Sequence, residues 1–521
     1  MLGRPMRYLR GALAGLTLVA PAMAALPAGT IIEVRLLTPV SSYSSKAGAE
    51  VRASVLGAVC PEAGILVPPG TVVSGVVKRI RKVGLGLVYE SARMEIEFRE
   101  LTLPDGQSYP LQARLVSVDN ARERVDGSGT IHGLRATASL SNRLGSQIAL
   151  VALEHPFGLI PVFILENSLF RFPNPEIEYG SGTELHLELE TPVNSEVVSG
   201  CDATERVSQS ESFAELDSLV AALPYWTYRE RKRKPEDPTN LVFIGSRGEI
   251  ERAFAAAGWT GSLSPSAATR LQAVRAIAEN RGYRNAPMKT LLLDGAKPDI
   301  SRQKTLNTFT RRDHLRIWKR PDLWHGRTVW VSAATKDIAA NVSLRPFGFT
   351  HQIQNEVDLE RNKVVTDLEF TGCVESVTFV ERPEVSGSLG YSARKGLSTD
   401  ARVAVIVLNS CDEPLQAPVI AAENPDPAVA VRILRRIVLT ARNHFLRDNR
   451  AWRTGEAAYL GFQAIRNRNE QRMGGRRERH IADDSAGPHQ RNNTPLVVLS
   501  AALHLIFRYH VAISPDIPAD W

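Results

Sequence analysis

From Leu26 to about Pro192, apolar and polar residues alternate with a period of two, the repeat of strands that bury one face. Leu185, Leu187 and Leu189 alternate with Glu184, His186, Glu188 and Glu190, and Met94, Ile96 and Phe98 alternate with Glu95, Glu97 and Arg99. Gly29-Thr30 is followed eight residues later by Thr38-Pro39-Val40, and Gly182-Thr183 at the same spacing by Thr191-Pro192-Val193. Pro69-Gly70-Thr71 opens a third strand, Val72 to Val77. Each Gly-Thr reads as a turn feeding a strand. Similar strands at both ends of a region suit a sheet that closes on itself and leaves no open edge. A β-barrel-like domain over residues 25–205 is therefore expected. Gly84-Leu85-Gly86 has no helix after it and reads as a turn.

The pattern then changes. Ser212 to Ala222 reads as a short helix, and Arg229 to Lys234 abuts Pro235 and Pro238, so residues 206–238 read as a helix and basic linker. Residues 239–415 mix both periods. Strands are expected at Asn240–Ile244, Thr290–Asp294, Arg311–Trp318, Thr328–Asp337, Val374–Val380 and Val403–Leu408, with helices at Ile250–Gly258 and about Ser264–Asn280. Ser246 and Glu249 have capping-box spacing; a glycine turn into a helix can also hold an anion, but no Lys follows in P-loop spacing. Asn355 reads as the N-cap of a further helix, with Asp358 at its third position and Glu356, Asp358 and Glu360 near its positive end. Residues 416–521 read as a helical tail containing a disordered loop, Asn467–Asn493. Its first helix, Pro425–Arg447, has an apolar stripe of Val431, Leu434, Val438, Ala441 and Phe445. Pro495 to Phe507 is apolar but too short to span a bilayer, which leaves a buried helix or peripheral membrane contact. The fold class is α+β: an N-terminal β-barrel-like domain, a mixed α/β domain and a helical C-terminal tail.

Composition adds an address. Arg4, Arg7 and Arg10 precede the apolar run Gly11–Ala20, and Ala22-Met23-Ala24 supplies small residues at a cleavage site. Residues 1–24 therefore read as a signal peptide cleaved after Ala24, giving a periplasmic or secreted protein. At 43% apolar and 23% charged residues, the remaining chain is of the globular class. Outside the cytosol cysteines stay paired, and pairing is expected within each half, Cys60 with Cys201 and Cys373 with Cys411. The net charge of +7 is spread over basic runs with no interleaved aromatic residues, so nucleic acid is not an expected partner.

The stretch Phe349–Pro383 is the densest in groups capable of chemistry. His314, Arg316, Lys336 and His351 come from segments expected to be neighbours and form a candidate anion-binding or catalytic cluster, with Asp337, Asp358 and Arg361 beside them. Asp358 and Arg361 are also spaced to pair on a helix surface. Glu360 and Asp367 are further candidate carboxylates. No HExxH, HxH or CxxC spacing occurs, so neither a metal nor another cofactor is expected.

Two resemblances bear on these residues. LPAGTIIEVRLLTPVSSYSSKAG and LVPPGTVVSGVV resemble the β-barrel modules of TrbI-type envelope assembly proteins, which implies an exported interaction module. NLVFIGSRGEIERAFAAAGW, RRDHLRIW, Ala334-Thr335-Lys336-Asp337, THQIQNEVDLERNKVVTDL, TGCVESVTFVERP and TDARVAVIVL, in that order, resemble the LssY-type C-terminal domain over about residues 237–408. That family often has histidines where Asp313 and Lys336 stand here, and it is sometimes fused to a membrane phosphatase whose PSGH signature this chain lacks. The expected function is a non-catalytic binding or interaction protein of the cell envelope, its partner an envelope protein or a small anionic ligand. The alternative is a hydrolase acting on a phosphate-containing substrate through the His/Arg/Asp cluster.

Overall fold

A computed structural model describes residues 23–60, 67–87, 89–143, 171–196, 211–230, 234–343, 348–382, 396–412, 428–443 and 465. The protein is mostly β, with few helices. Its first six long strands are β1 (Ile31–Leu36), β2 (Glu50–Val55), β3 (Val72–Arg81), β4 (Arg93–Thr102), β5 (Ser108–Val118) and β6 (Glu184–Leu189). Each pairs antiparallel with its sequence neighbour, and β6 returns to β1, so the six close into a barrel.

The repeated Gly-Thr turns account for where strands enter. Gly29, Gly70 and Gly182 all have φ between +84° and +89°, a region that favours glycine. In each turn the following threonine hydroxyl donates to a carbonyl three residues back: Thr30 to Pro27, Thr71 to Pro68 and Thr183 to Gly180, at 2.7–2.8 Å. Alternate residues such as Val34, Met94, Phe98, Leu185 and Leu187 fill the interior. A short strand, Met23–Leu26, pairs with Val193–Glu196. Cleavage after Ala24 would leave its last two residues. Residues 1–22 lie outside the described residues.

The second module is described from Glu211. Helix α1 (Glu211–Ala221) packs Leu216 and Val220 onto its sheet, and β7 (Trp226–Arg229) and β8 (Pro235–Pro238) form a hairpin. Residues 206–210 and 231–233 of the expected helix and linker lie outside the described residues; Pro235 and Pro238 sit in an edge strand, where no ladder hydrogen bond is lost. Next come β9 (Leu241–Ile244), α2 (Arg247–Ala256), α3 (Ala267–Ala278), β10 (Leu291–Leu292), β11 (Ile300–Lys304), β12 (Arg312–Trp324), β13 (Arg327–Ser343), β14 (Gly348–Ile353), α4 (Val357–Glu369), β15 (Val374–Glu381) and β16 (Arg402–Leu408). The main sheet runs β11-β12-β13-β9-β16-β15, with β14 extending β13. Its pairings are antiparallel except β9–β16, so the sheet is largely antiparallel, with helices on its faces.

β9 and β16 are continuous apolar runs because both faces are covered. Leu241, Phe243, Ala404 and Ile406 meet α2 and α4 through Phe254, Val364 and Leu368. Val242, Ile244, Val403 and Val405 meet α1. The Ser246–Glu249 capping box forms as expected. Cys373 and Cys411 flank the antiparallel β15–β16 pair and form a disulfide. Cys60 is also disulfide-bonded, while Cys201 lies outside the described residues.

Of the expected tail, helix α5 (Val429–Arg442) is described. Its orientation differs from the expected one: Leu434 is exposed, and Arg435, Arg436 and Leu439 are buried against the barrel. Asn467–Asn493 and Pro495–Phe507 lie outside the described residues.

Candidate functional site at the module boundary

β12 and β13 carry most of the expected site residues. Their register sets Arg312 opposite Asp337, Asp313 opposite Lys336 and His314 opposite Thr335. Neighbours along a strand point to opposite faces. Lys336 therefore points with Leu315, Ile317 and Ala334 toward α4 and the barrel, while Asp337 points with Arg312, His314 and Arg316 to the other side. The seven expected residues fall into three groups.

The first group surrounds Asp337, which is buried. Its Oδ2 accepts from Arg312 Nε at 2.8 Å and lies 3.2 Å from His351 Nδ1 and 3.8 Å from His314 Nδ1. Arg312 also donates to Gln303 Oε1 at 3.1 Å, and its guanidinium lies over the Phe309 ring. Burial works against the Asp337 carboxylate, but the two imidazoles and Arg312 outweigh it and hold the group below its usual range. Burial pushes His314 down to about 3 and lowers His351 as well. His314 Nε2 lies 3.1 Å from Thr335 Oγ1. Arg316 is on the same face but is held elsewhere, by Asp237 at 3.2 Å and the Lys289 carbonyl at 3.1 Å.

The second group is Asp358 and Arg361 at the start of α4. They pair at 3.2 Å, and Arg361 also binds both carboxylate oxygens of Asp400, at 2.6 and 2.9 Å. Asp358 accepts from the Thr399 hydroxyl and the Asp400 amide. This corrects the expected cap: the N-cap is Glu356, without a side-chain cap bond, and Asp358 ties down the 396–402 segment instead.

The third group contains Lys336 and residues that periodicity did not single out. Lys336 Nζ bonds to Asp119 of the barrel and lies 3.2 Å from Asp313. Beside it, Glu184 at the start of β6 accepts from Arg35 at 2.6 Å, Lys304 at 2.6 Å and Lys363. Asp367 on α4 accepts from Lys304 at 2.8 Å, Lys363 at 2.9 Å, Arg35 at 3.3 Å and Trp259 Nε1 at 2.8 Å. Arg35, Asp119 and Glu184 belong to the barrel and the rest to the second module, so this network joins the two.

Electrostatics divide these carboxyls. Burial raises Glu184, but Lys304, Lys363 and Arg35 overcome it and hold the group well below the usual range. Asp119, raised by burial and lowered more by Lys336 and Lys363, stays at about 2. Burial and the Asp119 charge lift Asp313 to about 6. Burial and Asp313 push Glu360 well up, and its Oε1 has no hydrogen-bond partner. A small cleft of about 50 Å³, enough for a few waters, opens along the boundary between Arg35, Asp119, Asn120, Glu184, Arg284 and Lys304. Among the described residues no group of three or more His, Cys, Asp or Glu is placed to hold a metal ion.

Asp367 and Glu360 are candidate carboxylates from the sequence; among Arg35, Asp119, Glu184, Lys304 and Lys363, only Glu184 leaves a sign, on the polar face of β6 where it alternates with leucines. Nothing in that alternation says that a second module covers it.

Among solved structures, the chain is similar to ComB10 of the Com type IV secretion system of Helicobacter pylori. The identity is 15% over 34% of this chain and 92% of that one, with a TM-score of 0.19. No curated protein matches the chain. Residues 220–395, which span the β7–β8 hairpin, both faces of the β12–β13 pair and α4, match the family model of the LssY C-terminus.

Proposed function

We propose that the chain is an exported cell-envelope protein, periplasmic or secreted, whose role is non-catalytic binding rather than turnover. The observation that carries this reading is the state of its cations. Arg35, Lys304, Lys336 and Lys363 are already bonded to carboxylates at the module boundary, as are Arg312, Arg316 and Arg361 in the other two groups. A catalytic or phosphate-gripping cluster needs donors left open for substrate. These donors instead join barrel to sheet and strand to helix. The partner is an envelope protein; a small anionic ligand at the boundary cleft would have to displace a carboxylate from Arg35 or Lys304.

One observation favours the hydrolase reading: His351 keeps 23% of its side-chain surface exposed with its Nδ1 3.2 Å from Asp337, close to a candidate orienting carboxylate though not hydrogen-bonded to it. The test is a panel of phosphate mono- and diesters offered to the mature chain from Ala25 and to a His351→Ala variant. No turnover above background is expected. Turnover by the parent that disappears in the variant would replace binding with hydrolysis.

A further inference from the structure

Helix α5 lies on the barrel the wrong way round for an ordinary surface helix. Arg435, Leu439 and Arg442 share one side. That side meets the barrel loop 83–86: Arg435 donates to the Gly84 carbonyl at 2.6 Å and Arg442 to the Gly86 carbonyl at 3.4 Å, and Leu439 packs on Gly86. Arg435 is buried, with Glu176 3.7 Å away, and Arg436 is buried with Phe172 beside it. Val429, Ile433 and Ile437 recur four apart on the opposite side, with Leu434 flanking them, and all four are exposed, Val429 at 61%.

The apolar surface continues beyond the helix. Leu85, Leu87 and Tyr89 in the adjoining loop are exposed, Leu87 at 72%, as is Leu140. Residues 139–142 meet the far end of α5, where the Thr440 hydroxyl donates to Asn142 Oδ1. An apolar patch shared by neighbouring segments marks an interaction surface. Of the six arginines and lysines in residues 81–89 and 428–442, Arg435 and Arg436 are buried and Arg442 turns to the Gly86 carbonyl, so Arg81, Lys82 and Arg432 give this face its positive charge. Lys82 is exposed beside the loop, and Arg81 stacks on Tyr89. Apolar side chains facing out, with basic groups at their rim, are the chemistry of a helix lying in the interface of an anionic bilayer.

We propose that α5 and the 83–89 loop form a membrane-docking face that seats the protein on a bilayer rich in anionic phospholipid. At fourteen residues α5 is too short to cross, so it lies in the plane of the interface. This face is separate from the boundary network and works whatever that network binds.

The test is flotation of the mature chain from Ala25 with vesicles of phosphatidylcholine alone or mixed with phosphatidylglycerol. Parent protein should float with the anionic vesicles and be released by high salt. Ile433→Ser with Ile437→Ser should weaken binding by about tenfold or more, and Leu87→Ser should weaken it in the same direction. All three positions are exposed, so the melting temperature should not change. Parent protein that stays with neither vesicle, or variants that float as well as the parent, would overturn the proposal. So would a parent dimer that the double substitution splits without any flotation, since the face would then belong to a second copy of the chain.

Discussion

Replacing Glu184 by Gln removes one negative charge from the buried network while keeping its shape. In the parent, Glu184 and Asp367 stand against Arg35, Lys304 and Lys363. After Glu184→Gln, three buried cations share Asp367 alone. Removing one partner of a buried ion pair leaves charge without compensation, a loss of about 3–5 kcal/mol. At about 2–4 °C per kcal/mol for a module of this size, the melting temperature should fall by roughly 6–20 °C. Urea unfolding followed by tryptophan emission measures the difference. The pH dependence gives an independent check. Glu184 is held below its unfolded value, so its contribution is complete above the unfolded value and fades as pH falls through the folded one. The parent should therefore lose stability more steeply than Glu184→Gln below about pH 4.5, near the unfolded value for a glutamate. Adding Lys363→Met to the variant removes the cation left in excess and should restore part of the loss, which a double-mutant cycle reads directly. A Glu184→Gln protein within about 1 kcal/mol of the parent would refute the network as the joint between modules.

Three further outcomes are expected. Cys373→Ser opens a disulfide between residues 38 apart and should lower stability by about 4 kcal/mol on the loop-entropy relation, measured by urea unfolding; an unchanged midpoint would count against a stabilising bond. Burial and the neighbouring Asp313 push Glu360 well above its usual range, so Glu360→Gln should cost less stability than Glu184→Gln in the same urea unfolding. Its folded value lies above its unfolded one, so the parent loses stability as pH rises toward the folded value, and the variant's profile should be flatter there. Gly86→Ala puts a Cβ within 2.4–2.5 Å of the Leu439 side chain at a φ of +92°. It should loosen α5 and speed tryptic cleavage at Arg432 and Arg442, whereas unchanged proteolysis would mean that Leu439 does not anchor the helix.

Most of the fold was legible because its signals are local. The alternation of Leu185, Leu187 and Leu189 marked β6, and the repeated Gly-Thr turns marked β1, β3 and β6, because a positive-φ glycine followed by a back-bonding threonine is written in four residues. The Ser246–Glu249 cap was legible for the same reason. Misreadings came where one element's surroundings decide its role. Pro235 and Pro238 looked like linker residues until β8 proved to be an edge strand. The stripe chosen for α5 followed from apolar spacing alone. In place, Arg435 and Arg436 face inward because backbone carbonyls, Asn174, Glu176 and Phe172 receive them.

The expected site shows how far proximity along a chain can mislead. Lys336 and Asp337 are adjacent, yet a strand sends adjacent side chains to opposite faces, so they belong to different networks. Lys336 reaches the barrel through Asp119, and Asp337 gathers Arg312 and His351 on the far side. No single pocket can include both. The pairing of β12 with β13 was expected, and applying strand parity to it separates Asp313 and Lys336 from Arg312, His314 and Asp337. Periodicity cannot supply the other half of each network. Arg35, Asp119 and Glu184 lie far away in sequence, on strands whose polar faces look solvent-bound until another body covers them. A buried charge with no partner is expensive, and each module alone would carry several. The two modules complete each other's polar interiors, so the network acts as a test of correct assembly as well as a source of stability. A protein that must hold a barrel and a sheet in one fixed relation has reason to place its charges there.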